Sequence, residues 1–266
     1  MAIDLDGTLL RSDKRLALRC VAAVAEACRA GVRVVIASAR PPRSVREIHR
    51  LLGLNTVYIN YNGALIHDPL QARHLYHRPL PVPLARQVVD VARGMDPWLA
   101  VSVEILDRWY TDRVVEDLDT ETARSFEPDY VGPLEAFLNR PVTKLMLLAP
   151  PQRLAPVRAR ISRRFEGQIG VAFTDPHLIQ VHHPGVCKAR ALQRVAQLYG
   201  IEREHVMAIG DAPNDASMLR WAGWGVAVAN AWPEARAAAD AVVPSNDDDG
   251  VACAIERYVL SREAGA

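Results

Sequence analysis

The sequence predicts a doubly wound parallel α/β domain interrupted by a separate α+β insertion. Strand and helix alternate at both ends of the chain, and the rhythm changes between them. The chain opens on Met1-Ala2-Ile3-Asp4-Leu5-Asp6-Gly7-Thr8-Leu9-Leu10, a short apolar run ending in two carboxylates and a Gly-Thr pair. Leu18, Val21, Ala22 and Ala25 then recur at helical spacing, with Gly31 as the expected C-cap. Val32-Arg33-Val34-Val35-Ile36 predicts a strand buried on both faces. Pro41-Pro42 opens a second helix to about Leu52, and 56–59 reads as a third strand.

Asn62-Gly63 carries a turn signal, and Pro79, Pro81 and Pro83 punctuate what reads as a domain crossing. These signals divide the chain into a core of 1–79 and 185–266 around an inserted unit of 80–184. Within the insertion the pattern predicts helices near 84–94 and 152–165, with strands near 99–105, 108–111, 142–148, 169–174 and 178–182. From about 185 the first rhythm returns. A helix carrying Leu192, Val195, Ala196 and Tyr199 is capped by Gly200, and a buried strand at 205–209 runs into Gly210-Asp211. A helix over 214–221, a strand at 225–229, a helix from Pro233, a strand at 241–243 and a last helix to about Leu260 complete the alternation. Asp247-Asp248-Asp249 reads as a solvated run matched to the dipole of that last helix.

With 266 residues, 50% hydrophobic and 24% charged, the chain is long enough for a large core. Its 32 basic and 31 acidic side chains leave a net charge of +1, and no basic run interleaved with aromatics appears, so a nucleic-acid partner is not expected. No apolar segment approaches the roughly 18 residues that span a bilayer, and no secretory signal pattern is present. Cys20, Cys28, Cys187 and Cys253 are scattered and read as small buried hydrophobes of a cytoplasmic protein.

On an extended strand, residues i and i+2 share a side, so Asp4 and Asp6 are expected to converge. Paired carboxylates repel, and such a pair is stable chiefly around a cation. In an open parallel sheet, ligands bind at the carboxyl ends of the strands. Four predicted strand ends here carry matching polar groups: Asp4 with Asp6, Ser38, Asn62, and Asp211 with Asn214 and Asp215. Lys188 starts the helix that re-enters the core. Carboxylates for a hard cation beside a hydroxyl, an amide and a lysine for an oxyanion describe a site for phosphate with Mg²⁺. Taken singly, Ser38 reads as a helix N-cap, Asn62-Gly63 as a hairpin turn and Lys188 as a solvated charge. The combination is what carries the prediction.

In this order the motifs resemble those of the haloacid dehalogenase superfamily, specifically the Cof-type phosphatases with a large α/β cap inserted after the second motif. The resemblance rests on Asp4-Leu5-Asp6-Gly7-Thr8, Ser38, Lys188, and Gly210-Asp211 with Asn214-Asp215, and it spans essentially the whole chain. It implies a Rossmann-like core and a phosphomonoester hydrolase working through an aspartyl-phosphate. It further implies Asp4 as nucleophile and Asp6 as general acid and base. Mg²⁺ would be held by Asp4, the Asp6 backbone carbonyl and Asp211. Ser38, the Ala39 backbone, Lys188 and Asn214 would bind the phosphoryl oxygens, with Asp215, Asn62 and Arg40 in support. The expected partner is a small phosphorylated metabolite, such as a sugar phosphate, with no membrane; oligomeric state stays open.

The chain departs from the family pattern in three places. Only Met1-Ala2-Ile3 precede Asp4, so either the natural start lies upstream or the first strand is short and weakly held. The second motif reads Ser38-Ala39-Arg40 where the family has Thr-Gly-Arg, and Pro213 stiffens the last motif. A sugar phosphomutase and a non-catalytic sugar-phosphate-binding protein remain alternatives. A metal-dependent glycosyltransferase would leave Lys188 and Asp211–Asp215 without a role. Glu104, Asp112, Arg113, Lys144 and His177 are candidates for substrate choice, most of them expected at the surface.

Overall fold

The structure, a computed structural model, describes residues 1–115 and 125–261, and of 173–175 the backbone only. The chain forms two compact units, one from Met1–Tyr76 with Cys187–Ala266 and the other from His77–Val186. The first begins with β1 (Ala2–Ile3), α1 (Leu18–Arg29), β2 (Val35–Ile36), α2 (Pro42–Leu51), β3 (Tyr58–Asn60), β4 (Leu65–Asp68) and β5 (Arg73–His77). The insertion supplies α3 (Val82–Met95), β6 (Ala100–Ile105), β7 (Arg108–Thr111), β8 (Tyr130–Val131), β9 (Lys144–Leu148), α4 (Pro151–Arg164), β10 (Gly170–Asp175) and β11 (Leu178–His182). The first unit resumes with α5 (Lys188–Tyr199), β12 (Met207–Gly210), α6 (Ala216–Trp221), β13 (Trp224–Val228), α7 (Pro233–Arg236), β14 (Ala241–Val243) and α8 (Gly250–Ile255).

In the first unit a parallel sheet runs in the order β14-β13-β12-β1-β2, as a doubly wound α/β fold requires. The two-residue β1 occupies an interior position, pairing with Ala208 and Ile209 on one side and with Val35 and Ile36 on the other. Ala2 and Ile3 are fully buried, and the Asp4 N–H donates to the Ile209 carbonyl at 3.0 Å, which carries the ladder up to the first carboxylate. Neighbours on both sides thus hold a strand that its length alone would leave weak. An Ala37–Ile59 bridge extends the parallel pairing to β3. Because these strands are parallel, the residues that follow β1, β2 and β12 emerge on one edge.

Helix α1 forms where its period predicts, but it buries Cys20, Ala23, Val24 and Ala27, while Leu18 is 87% exposed and Ala22 is exposed. Two alanine-rich stripes share this helix, and periodicity alone does not rank them; packing against the sheet does. Cys28 is likewise exposed rather than buried. The stretch after Asn60 is the larger revision: β3, β4 and β5 form a second, three-stranded sheet that the pattern did not announce. His67, Asp68, Arg73 and His74 interrupt any apolar alternation there, and β5 is largely solvent-facing. The acidic run 247–249 does more than face solvent. Asp247 accepts from the Ser12 backbone at 2.8 Å and from its hydroxyl at 2.6 Å, tying the loop before α8 to the loop after β1.

The inserted unit is a six-stranded sheet in the order β10-β11-β9-β6-β7-β8, antiparallel except for the short, exposed β8 beside β7. The two residues of β8 carry too little pattern to be read from sequence. Val101, Val103, Leu145, Leu147, Ile179 and Val181 join the cluster that includes Val88, Ala92, Val157 and Ile161 of α3 and α4. Strand alternation turns Ala100, Ser102, Glu104, Lys144, Met146 and Leu148 to the opposite face. Glu104 and Lys144 are register partners and both are buried, contrary to the surface positions expected of them. Asp112 is also drawn inward. It accepts from the Val101 N–H at 2.7 Å, from Arg113 at 2.9 Å and from Arg93, a structural knot. No helix among the described residues is long and apolar enough to cross a membrane.

Candidate active site

The carboxyl ends of β1 and β12 bring Asp4, Asp211 and Asp215 together, all buried, with ligand atoms within 4.8 Å of one another. Lys188, at the first turn of α5, inserts its ammonium among them, 2.5 Å from Asp4 Oδ1 and 2.5 Å from Asp215 Oδ1. Asp215 is fully engaged: its second oxygen accepts from the backbone N–H of Asp211 at 3.1 Å and of Ala212 at 3.0 Å. Its contacts therefore fix the turn after β12 and orient Lys188. Thr8 donates to Asp211 Oδ1 at 2.6 Å, so the fifth residue of the first motif reaches the fourth. Gly7 has φ +77°, and a Cβ there would strike the Asp211 carboxylate.

Charge balance in this centre is incomplete. Three buried carboxylates face one buried ammonium. Burial, with Asp215 and Asp211 nearby, pushes the Asp4 carboxyl well above the ordinary carboxylate range, against the pull of Lys188. Burial also raises Asp211, although the Thr8 hydrogen bond opposes it. Burial works against the charge on Lys188 too, yet Asp215 and Asp4 outweigh it and its pKa rises. A divalent cation bound by the free oxygens of Asp4 and Asp211 supplies the missing positive charge, and an all-oxygen donor set suits a hard ion. The residues present fit such a group.

Asp6 stands outside the cluster. Arg40 clasps it with Nε at 2.7 Å and Nη2 at 2.6 Å, and Lys14 Nζ adds a third contact at 2.9 Å. Burial alone would raise its pKa, but the hydrogen bonds and charges of Arg40 and Lys14 hold it below the usual value. Ser38 is buried at the end of β2, where its Oγ accepts from the Arg40 N–H at 3.1 Å and its carbonyl from the Asn62 N–H at 3.1 Å. Ala39 lies half-buried between them. Asn62 adopts the left-handed region, φ 56°, and its Oδ1 accepts from Asn214 Nδ2 at 2.8 Å, joining the loops after β3 and β12.

Three residues of the site region escaped the sequence reading. Thr8 was visible within its motif but had no assigned contact. Lys14 reaches back to Asp6 from the following turn, where its φ is 66°. Asn230 donates to the Gly7 carbonyl at 2.7 Å and accepts from the Asn246 N–H at 3.0 Å, bracing the turn after β1 from a distant segment. No sequence signal marks either Lys14 or Asn230.

A parallel α/β core with carboxylates and a lysine converging on one strand edge defines an enzyme-type core. The haloacid dehalogenase-like hydrolase family matches residues 1–255, and the chain belongs to that family. Among its relatives is the 5-amino-6-(5-phospho-D-ribitylamino)uracil phosphatase YitU of Bacillus subtilis, 29% identical over 97% of this chain and 96% of the relative. The HMP-PP phosphatase of Cronobacter sakazakii is 29% identical over 88% of this chain and 85% of its own length. In three dimensions the chain is similar to a haloacid dehalogenase-like hydrolase from Bacteroides thetaiotaomicron, with TM-score 0.87, 29% identity, and 96% and 97% of the two chains covered. A Thermotoga maritima protein matches with TM-score 0.86, 26% identity and 96% of each chain.

Proposed function

We propose that the protein is a Mg²⁺-dependent phosphatase that hydrolyses small phosphomonoesters, such as sugar phosphates, through an aspartyl-phosphate on Asp4. The observation that carries this reading is the Asp4 carboxylate held between Lys188 and Asp211, away from water. A carboxylate needs no deprotonation to attack, provided that positive charge screens it from the anionic phosphoryl group. Mg²⁺, bound by Asp4, Asp211 and the Asp6 backbone carbonyl, would supply charge neutralisation at the transferring phosphoryl.

The remaining roles belong to this chain's own groups. Ser38, the Ala39 backbone, Lys188 and Asn214 bind the phosphoryl oxygens, with Asn62 fixing Asn214 and Asp215 fixing Lys188. Asp4 Oδ forms a bond to phosphorus as the ester P–O bond breaks. Asp6 gives its proton to the departing alkoxide, a contribution of about 10²–10⁴ in rate. Asp6 then takes a proton from water, whose oxygen attacks the aspartyl-phosphate, releasing phosphate and restoring Asp4. Arg40 and Lys14 hold Asp6 in its ionised form, so release of that clasp is part of the cycle. We assign the inserted unit the selection of the organic part of the substrate. Relatives named as phosphatases of a ribitylaminouracil phosphate and of HMP-PP support the reaction class.

The direct test is phosphate release from a panel of phosphomonoesters, with Mg²⁺ and with chelator. Release is expected only with the metal; equal release in chelator removes the metal assignment.

A further inference from the structure

The inserted unit contains a cavity of about 170 Å³ on the sheet face turned away from α3 and α4. Its floor is formed by Ala100, Ser102, Thr111 and Leu148, with Trp109 and Phe126 as aromatic walls and Glu127 at the rim. The size is informative. An apolar cavity of about 150 Å³ holds benzene, so this one admits a single six-membered ring and little more.

The polar groups specify the edge of that ring. Ser102 Oγ donates to Thr111 Oγ1 at 2.7 Å, and Thr111 Oγ1 donates to the Arg113 carbonyl at 2.9 Å. Both hydroxyl protons are thereby committed within the wall, and Ser102 Oγ is left with acceptor capacity only. Glu127 adds a carboxylate, a second acceptor. The Trp109 indole N–H is buried and has no hydrogen-bond partner among the described residues. A buried, unmet donor costs about 1–3 kcal/mol, which a ligand acceptor recovers. The lining thus asks for one acceptor and one donor on a flat ring. It does not suit an anion, because Glu127 repels one and Arg113 Nε is already committed to Asp112 at 2.9 Å.

We propose that this cavity binds a single heteroaromatic ring of the pyrimidine type, with Trp109 donating to a ring carbonyl or nitrogen and Ser102 accepting from a ring N–H or amino group. The ring belongs either to the organic half of the protein's own phosphomonoester or to a separate small molecule. Only the first of these sources rests on the phosphatase reading.

The test uses the full chain with ¹⁵N-labelled tryptophan, titrated with cytosine and, as a saturated control, cyclohexanol. Cytosine is expected to shift the Trp109 indole N–H saturably while cyclohexanol does not, and calorimetry is expected to show roughly tenfold weaker cytosine binding in Trp109→Phe. Ser102→Ala, a smaller change, is expected to weaken it severalfold. No saturable shift, an equal shift with cyclohexanol, or unchanged affinity in both variants overturns the proposal. Cytidine 5′-monophosphate and ribose 5-phosphate, which differ by the ring, separate the sources. A KM raised by Trp109→Phe for the nucleotide alone places the ring in the substrate, and unchanged KM values for both assign it to a separate ligand. If neither ester is hydrolysed the phosphatase reading fails, and the cytosine titration still decides the cavity.

Discussion

The ammonium of Lys188 stands 2.5 Å from Asp4 Oδ1, with the lysine side chain 1% exposed and the aspartate 7%. So close a pair, out of water, makes each group the condition for the other's charge. Lys188→Met strands the carboxylates of Asp4 and Asp215 without their cation. Removing one partner of a buried pair costs about 3–5 kcal/mol. Urea unfolding in chelator is expected to show that loss, and added Mg²⁺ to recover part of it.

Asp4→Asn keeps the shape and removes the attacking carboxylate, so phosphate release is expected to fall at least about 10³-fold. The same change relieves crowding among three carboxylates, so the variant is expected to unfold at no lower urea concentration than the parent in chelator. Intact mass must confirm that the amide survives. Undiminished turnover in that protein removes Asp4 from the nucleophile's role.

Asp6→Asn tests proton donation through the leaving group. Alkyl phosphates, whose alkoxides need the proton, are expected to lose about 10²–10⁴ in kcat. p-Nitrophenyl phosphate, with a stable leaving anion, should lose much less in the first step. An equal loss for both substrates argues that Asp6 positions groups instead of donating.

Gly7→Ala is expected to destabilise by about 1–3 kcal/mol, because φ +77° is unfavourable with a Cβ and the methyl meets the Asp211 carboxylate. The displaced carboxylate should also raise the Mg²⁺ concentration needed for half-maximal turnover. A shift in stability without any shift in metal requirement separates backbone strain from the site.

His49 provides a pH prediction remote from the carboxylates. Its Nε2 lies 2.8 Å from the Thr56 carbonyl, and burial lowers its pKa although that carbonyl opposes the shift. The unfolded chain protonates this imidazole near pH 6.5, above the folded value, so the unfolded state gains protons first as pH falls. Stability from this group is therefore full above that pH and is lost as pH drops through it. Urea midpoints at pH 7.5 and 5.5 are expected to show the decline, and His49→Gln to reduce its slope.

The fold class and the motif residues were legible in the sequence for a physical reason. A buried parallel strand must be apolar throughout, and the polar residue that ends it stands out, as Asp4, Ser38 and Asp211 do. The α1 face was not legible, because two alanine-rich stripes on one helix carry nearly equal burial energy and only the sheet beneath selects Cys20, Ala23, Val24 and Ala27. The β3-β4-β5 sheet was hidden by its histidines and charges. Short strands such as β1 and β8 likewise depend on neighbours for their existence.

By itself, then, the sequence determined the alternation of elements, the insertion between them and which side chains bear the chemistry. Tertiary structure decided their company. It placed Lys188 between Asp4 and Asp215, set Thr8 on Asp211, and bound Asp6 to Arg40 and Lys14 outside the carboxylate cluster. Hydrogen bonds and charge pairing act over a few ångströms between residues up to 203 positions apart, and sequence order carries no record of those distances.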